Sequence, residues 1–384
     1  MSTRFNLFFL AASLIWGQSM VAQHDAHDAH EHEHAEGHHA EGLHELEEKA
    51  GFDPSPFIIH HVADAYDIHL WGEGEGAVHI PLPIILYSEE HGLDVFMSSA
   101  FHGHGDVKHT EDGRYEMAHG HIALAGAHNH DHAHDGHNDH DHTDQRSVLY
   151  DFSITKSVFG MLFIMAILLL MFGRAAASYR KNPGQAPKGL TNVLEPLVIF
   201  VRDEIAIPSL GEHKAQKFLP FLLTVFFFIL FANLLGLIPF IGGFNITGTV
   251  GITAVMATFV FLLTSLNGNK HYWGHLFWPP GVPVFVMPII IPIEVIGMFL
   301  KPIVLMIRLT ANITAGHIII LSFVSLVLIF GESSAVAGYG VGIFSTAFMI
   351  FMYCIELLVA FLQAFIFTLL AAIYFGEATH EAHH

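Results

Sequence analysis

Between residues 283 and 330 lie some 48 residues, PVFVMPIIIPIEVIGMFLKPIVLMIRLTANITAGHIIILSFVSLVLIF, whose only acidic or basic side chains besides one histidine are Glu294, Lys301 and Arg308. As a helix this stretch would measure about 70 Å, over twice a hydrocarbon core of about 30 Å. It must therefore tilt steeply, lie partly along a membrane, or break. Pro292 and Pro302 supply places to bend, and Gly316 a looser spot. Arg308 sharpens the constraint, because a guanidinium keeps its charge at any biological pH. Placing it at bilayer depth costs about 2.5–3.5 kcal/mol, so it must face protein or water and not lipid.

On an ideal helix Glu294, Lys301 and Arg308 recur every seven residues and drift by only about 20° per step. Asn312 falls on the same side, flanked by the small residues Ala311 and Ala315, where a second helix could approach closely. His317 is nine residues beyond Arg308 and falls on nearly the opposite face. A second polar pair, Glu356 and Gln363, sits seven residues apart in the apolar MIFMYCIELLVAFLQAFIFTLL. Two such helices can hide their polar stripes only against each other or in an aqueous cleft.

These two stretches carry a resemblance. RLTANITAGH, followed some forty residues later by IELLVAFLQAFIF, resembles subunit a of the membrane (Fo) sector of F-type ATP synthases. That family has Arg-Leu-x-x-Asn-x-x-Ala-Gly-x, then an acid or histidine seven residues before a Gln-Ala-x-Ile-Phe run. The resemblance implies a stationary proton-channel subunit that forms two half-channels against a rotor ring of c subunits. It makes Arg308 the fixed cation opposite the rotor's carboxylate. His317 and Glu356 resemble the family's acid/histidine pair near the outer half-channel, with the two residue types exchanged. Asn312 and Gln363 would position Arg308 and water, and Glu294 is the candidate for the inner half-channel. Lys301 fits the polar stripe or snorkels. Implied partners are the c-ring, b-type stator subunits, the other synthase subunits and the lipid membrane. No cofactor is implied, and no phosphate-binding loop is present, so the chain is no enzyme by itself.

Composition agrees with a polytopic membrane protein: mean hydropathy is +0.46, with 34 Phe and 14% charged residues. The net charge of −20 is concentrated before residue 152, beside 25 of the 32 histidines. That acidity argues against nucleic acid as a partner. Cys354, the single cysteine, reads as a small buried hydrophobe and allows no intrachain disulfide.

In chain order, residues 1–23 read as a signal peptide and 24–56 as a His/Asp/Glu-rich disordered segment. Residues 57–125 carry strand-like runs (AVHIPLPIILYS, LDVFMSS, YEMAHGHIAL) with turns at GEGEG, EEHG and EDG, predicting a small extracytoplasmic β-rich domain. A His-rich linker covers 126–150. Weak, non-specific metal binding is chemically open at His24–His44 and His128–His142, without a defined coordination shell. Residues 151–376 form the membrane domain, and 377–384 a His-containing tail.

Within the membrane domain a helix from Lys156 ends at Arg174, Arg180 and Lys181, an outside-to-inside span by the positive-inside rule. Residues 187–211 are too polar to span and read as an interfacial helix. Residues 217–240 return outward, with Asn233 serving helix packing or a water path. Thr247 to about Leu266 goes inward, and the two long elements, 283–330 and roughly 338–376, follow, with Glu332 in their turn. The expected fold is thus an all-α polytopic membrane protein. It has five transmembrane helices and one interfacial helix, the last two spans long and tilted, behind a signal peptide and a β-rich outer domain. The expected location is a bacterial inner membrane, with the N-terminal domain periplasmic and the C-terminus cytoplasmic. Two rivals are a metal-ion transporter and an anchored extracytoplasmic metal-binding protein. The first needs His/Asp pairs inside the spans, and the second fails on the number of spans.

Overall fold

The computed structural model describes residues 63–71, 78–88, 92–102, 107–110, 113–118, 121–124, 149–181, 183–186, 188–238, 244–278, 283, 285–333 and 335–380. The signal peptide, the 24–56 segment and both histidine tracts lie outside these residues. The described chain falls into two compact units, one β-rich (63–160 and 238–244) and one helical (161–237 and from 245 onward).

The β unit holds nine strands in three antiparallel sheets. Strands β1 (Asp67–Trp71) and β2 (Val78–Pro81) pair with each other, and β3 (Pro83–Ser88) lies between β4 (Gly92–Met97) and β9 (Leu149–Asp151). Strands β5 (Phe101–His102), β6 (Val107–Thr110), β7 (Tyr115–Ala118) and β8 (His121–Leu124) follow in order. The strands flanking the three expected turns pair antiparallel, β1 with β2, β3 with β4 and β6 with β7, while the turns themselves lie almost wholly outside the described residues. Two runs read as single strands each divide in two. Leu82 separates β2 from β3 between two prolines, and Tyr115–Ala118 pairs antiparallel with His121–Leu124 as β7 and β8. The linker expected over 126–150 ends early, because Leu149–Asp151 is a sheet strand against β3.

The alternation of β3 buries Ile84 and Leu86 against Phe101 and Tyr115, which form the core of this unit. The Tyr115 hydroxyl donates to Asp94 Oδ2 at 2.6 Å, and Arg114 pairs with the same oxygen at 3.2 Å. Burial and the Asp94 carboxylate together push the Tyr115 hydroxyl up to about 12 from an ordinary 10.

The helical unit is all-α. Helix α1 (Lys156–Lys181) begins at the end of the β unit, and α2 (Leu190–Phe200) runs through a π turn (Val201–Ala206) into α3 (Ile207–Leu210). At Gly211, with φ +75°, the chain takes a left-handed turn that a Cβ would strain, and α4 (Glu212–Gly236) starts at once. Helices α5 (Val250–Leu266), α6 (Lys270–Phe277), α7 (Met287–Ser333) and α8 (Ala335–Thr379) complete it.

Among the described residues four helices, α1, α4, α7 and α8, are long and apolar enough to cross a membrane. A fifth crossing exists if α5 and α6, bent by 102° at a short break, make one span. The 190–210 segment is not among them.

Helix α7 does not break: it runs 47 residues through Pro292, Pro302 and Gly316. Helix α8 runs 45 residues and extends past the expected boundary at 376, to Thr379. Contacts 301–377, 316–356, 323–348 and 342–327 make the two an antiparallel hairpin. Glu332 belongs to the last turn of α7 and not to a loop.

Phenylalanine fills the joints between α4, α2 and α8. Phe218 stacks on Phe375 at 4.9 Å, and Phe200 meets Phe361 and Phe365 at 5.9 and 5.7 Å. Asn233 does the packing job. Its Nδ2 donates to the Ala360 carbonyl at 3.2 Å, and its Oδ1 accepts from the Thr247 hydroxyl at 2.6 Å.

Asn233→Ala is expected to destabilise the helical unit by about 1–3 kcal/mol, the cost of stranding buried partners; a fall in thermal midpoint of the detergent-solubilised chain checks this. In the β unit, the raised Tyr115 contributes stability that is fully present below pH 10 and lost as pH climbs toward 12. Tyr115→Phe should flatten that alkaline loss, read by limited proteolysis across pH.

Candidate functional site

The site is built on one face of α7. Exposed residues recur along it every three or four positions, from Ile289 through Ile296, Leu300, Val304, Ile307 and Ala311 to Ile318. This is a stripe of helical period that the rest of the chain leaves uncovered. In the most apolar stretch of α7 only 6% of residues are buried within the chain, against 61% for α4. Arg308 stands in the middle of that stripe, exposed. Among the described residues it is paired with no carboxylate. Interpolating the hairpin register puts it level with the Gln363–Phe367 turn of α8, where no acid of this chain stands.

Asn312 shares the exposed face one turn on, and Ala311 and Ala315 keep the surface beside it low. No hydrogen bond joins Arg308 to Asn312 or Gln363 among the described residues. Gln363 is 5% exposed and belongs to the interior of the helical unit. The two polar stripes therefore do not meet: that of α8 turns inward, and that of α7 turns out.

Glu356 is likewise 5% exposed, and what houses it is Gly316. A Cβ on Gly316 would lie 1.6 Å from Glu356 Oε1, so the carboxyl occupies the space that only glycine leaves. Gly316, expected as a loose spot in α7, is instead a notch for an acid. His317, half-buried, lies next to it in the chain. Its Nε2 lies 3.1 Å from the Gly236 carbonyl at the end of α4 and its Nδ1 3.3 Å from the Ile313 carbonyl, and a neutral ring donates to one of the two. The carboxyl thus sits at Gly316 and the imidazole, one residue on, turns to the end of α4, on the side of α7 away from Arg308 as the nine-residue spacing requires. Close by, Thr253 and Thr310 share a hydroxyl–hydroxyl bond at 2.7 Å.

Toward the other end of α7, Glu294 is half-buried. Lys301 does not join the Arg308 face: its Nζ pairs with Glu377 at 2.5 Å and lies 4.9 Å over the Tyr374 ring. Lys301, Tyr374, Tyr272, Met298 and Thr264 line one small cavity there. Glu377 and the Gly316 notch escape sequence reasoning. The only available signals were an acid near the end of an apolar run and a glycine beside the motif histidine.

Cys354 is exposed on α8, near Phe351, Leu357 and Leu358. Its apolar surroundings are a helix surface and not a protein interior. No three His, Cys, Asp or Glu side chains converge on a metal-sized site among the described residues.

These features define a polytopic helical membrane protein with a cation on an open apolar face, unpaired among the described residues, and a carboxyl set in a glycine notch further along the same helix. Residues 158–376 match the family described as ATP synthase A chain, and 57–152 match a domain of unknown function (DUF8433). ATP synthase subunit a 2 of Chlorobaculum tepidum is 46% identical over 248 residues, covering 61% of this chain and 67% of the relative. ATP synthase subunit a of Chloroherpeton thalassium is 42% identical over 241 residues, covering 61% and 69%. That of Myxococcus xanthus is 38% identical over 240 residues, covering 61% and 75%. The chain belongs to the ATP synthase subunit a family.

Gly316→Ala should evict the Glu356 carboxyl and cut ATP-driven acidification of inverted vesicles by about tenfold, equivalent to about 1.4 kcal/mol. Adding Glu356→Asp, one methylene shorter, should recover part of it. Full activity of Gly316→Ala would show that the notch is not needed.

Proposed function

We propose that this chain is the stationary proton-conducting subunit of an F-type ATP synthase, with its stripe on α7 facing a rotor ring of c subunits. The observation that carries the reading is Arg308, a permanent charge exposed on an apolar helix face and without a carboxylate partner among the described residues. A charge so placed requires an anion or water from outside the chain, and a rotor carboxylate at bilayer depth supplies one. Near the guanidinium that carboxyl loses its proton, because an adjacent positive charge favours the ionised form. Arg308 has no proton to exchange at working pH, so it also blocks a direct leak past itself.

The two proton paths lie on opposite sides of Arg308 along α7. Glu356 and His317 lie about 13 Å away in one direction, and Glu294 about 21 Å in the other, at 1.5 Å per residue. Protons enter by the first path and reach the rotor carboxylate through His317 and Glu356, which hand them on through water. They leave past Glu294 after nearly a full turn of the ring. Asn312, one turn on along the same exposed face, orders water around the guanidinium. Each charge crossing releases about 2.3 kcal/mol per 100 mV, and ATP chemistry belongs to the other synthase subunits. Besides the c-ring, b-type stator subunits are the expected neighbours, in a bacterial inner membrane.

The orientation follows from Arg174, Arg180 and Lys181 at the end of α1, which put that end in the cytoplasm. The β unit is then periplasmic, behind a signal peptide over 1–23, and the end of α8 is cytoplasmic. The 190–210 segment lies along the cytoplasmic interface.

Arg308→Ala is expected to abolish proton-driven ATP synthesis while leaving the complex assembled, and Arg308→Lys to leave it severely reduced. ATP synthesis with a normal proton-to-ATP ratio in Arg308→Ala would overturn the mechanism.

A further inference from the structure

The β unit carries a surface that the proton mechanism does not use. In the sheet β4-β3-β9, residues directly opposite one another share a face: Tyr87 with Leu93, Ile85 with Val95, Pro83 with Met97, and Tyr87 with Tyr150. The Phe152 amide donates to the Ile85 carbonyl at 2.8 Å, which carries the same face one step further. The opposite face holds Ile84, Leu86 and Phe96 and packs on Phe101 and Tyr115. This sheet is therefore apolar on both sides, where a sheet facing water alternates with polar residues. On the open face Leu93 is 64% exposed, Val95 62%, Phe152 50%, Tyr150 49%, and Met97 and Tyr87 44%. Among the described residues no charged or amide side chain interrupts it: Asp94 and Asp151 lie on the other face.

We propose that this face rests on lipid, at the boundary between headgroups and acyl chains where α1 enters the bilayer. Three observations select lipid over another occupant. The first is proximity. Only residues 152–155 separate β9 from Lys156, a reach of about 13 Å at about 3.3 Å per residue. Backbone bonds pin that reach: Ile154 N–H to the Pro83 carbonyl (3.0 Å) and Lys156 N–H to the Ala65 carbonyl (2.7 Å). Ser157 N–H adds a third, to Asp64 Oδ1 (3.0 Å). The sheet is thus held to the first turn of a membrane helix and cannot drift far from the bilayer surface. The second is chemistry. Tyr87 and Tyr150 sit side by side, ring centroids 6.3 Å apart, apolar bodies with hydroxyl tips, the residue type that populates the membrane interface. The third is apolar surface on the tether itself: Phe159, in the first turn of α1, is 39% exposed. A charge-free patch of this extent is not left to water in a soluble domain.

The test uses the intact ATP synthase complex carrying Cys354→Ser and one introduced cysteine, either Val95→Cys on the sheet or Leu170→Cys in the span. Each is nitroxide-labelled and reconstituted in phosphatidylcholine–phosphatidylglycerol vesicles. Collisions with oxygen, which concentrates in lipid, are compared with collisions with a water-soluble nickel chelate. The expected oxygen-to-nickel ratio at Val95 is severalfold above that of free label in buffer, approaching the Leu170 value. A ratio equal to free label overturns the proposal in favour of a water-facing sheet. Loss of collisions with both probes overturns it in favour of another protein, a stator subunit or a second copy, covering the face. The inference rests on α1 crossing the membrane. A water-like ratio at Leu170 would defeat that premise and the proposal together, whereas a lipid-like Leu170 with a water-like Val95 defeats the proposal alone.

Discussion

A charge that cannot be discharged, held on a surface that excludes water, governs how the rest of this molecule is arranged. Arg308 could be tolerated at bilayer depth if an acid of the same chain neutralised it, but the hairpin register leaves none at its level. Glu377 is taken by Lys301, and Glu356 is sunk in the Gly316 notch. The chain has acids enough to compensate its own cation and places them elsewhere. A buried pair satisfied within the chain would have been structurally safe and mechanically inert. The open charge costs stability in the isolated chain.

That cost is carried by a rigid support. Helix α4 is the buried pillar of the unit, and its phenylalanines, with Asn233, fasten it to α8. Helix α8 in turn carries α7, and the contact from Phe323 to Phe348 at 4.2 Å continues the same packing to the far end of the hairpin. Helix α7 itself contributes little buried surface. Its position is set by its neighbour, which is what a surface reserved for another molecule requires.

Much of the helical unit was legible because helical period and residue chemistry speak at the same positions. The spacing from Arg308 to His317 placed them on opposite faces, and the structure keeps them there. The seven-residue spacing of Glu356 and Gln363 gave a shared stripe, and both are buried. What the sequence could not disclose was depth. Nothing local tells whether an apolar helix faces protein or lipid, so Cys354 read as buried and lies exposed. Nor does a lone glycine announce that an acid forty residues away will fill its missing side chain. In the β unit the strands were visible as runs of β-formers, but β9 was masked by the histidine tract before it. Its pairing with β3 is non-local, the kind of contact that pattern alone does not supply.

One further consequence follows from the unbroken course of α7. Pro292 and Pro302 each delete a backbone amide, yet the helix continues through both. The compliant part of the rod is thus the stretch before Arg308, and the stretch from Arg308 to Ser333 has no proline and is the stiffer lever. A sideways push from a turning neighbour would flex the end bearing Glu294. The end bearing the acid–imidazole pair would hold its place, like a gauge block against a moving wheel.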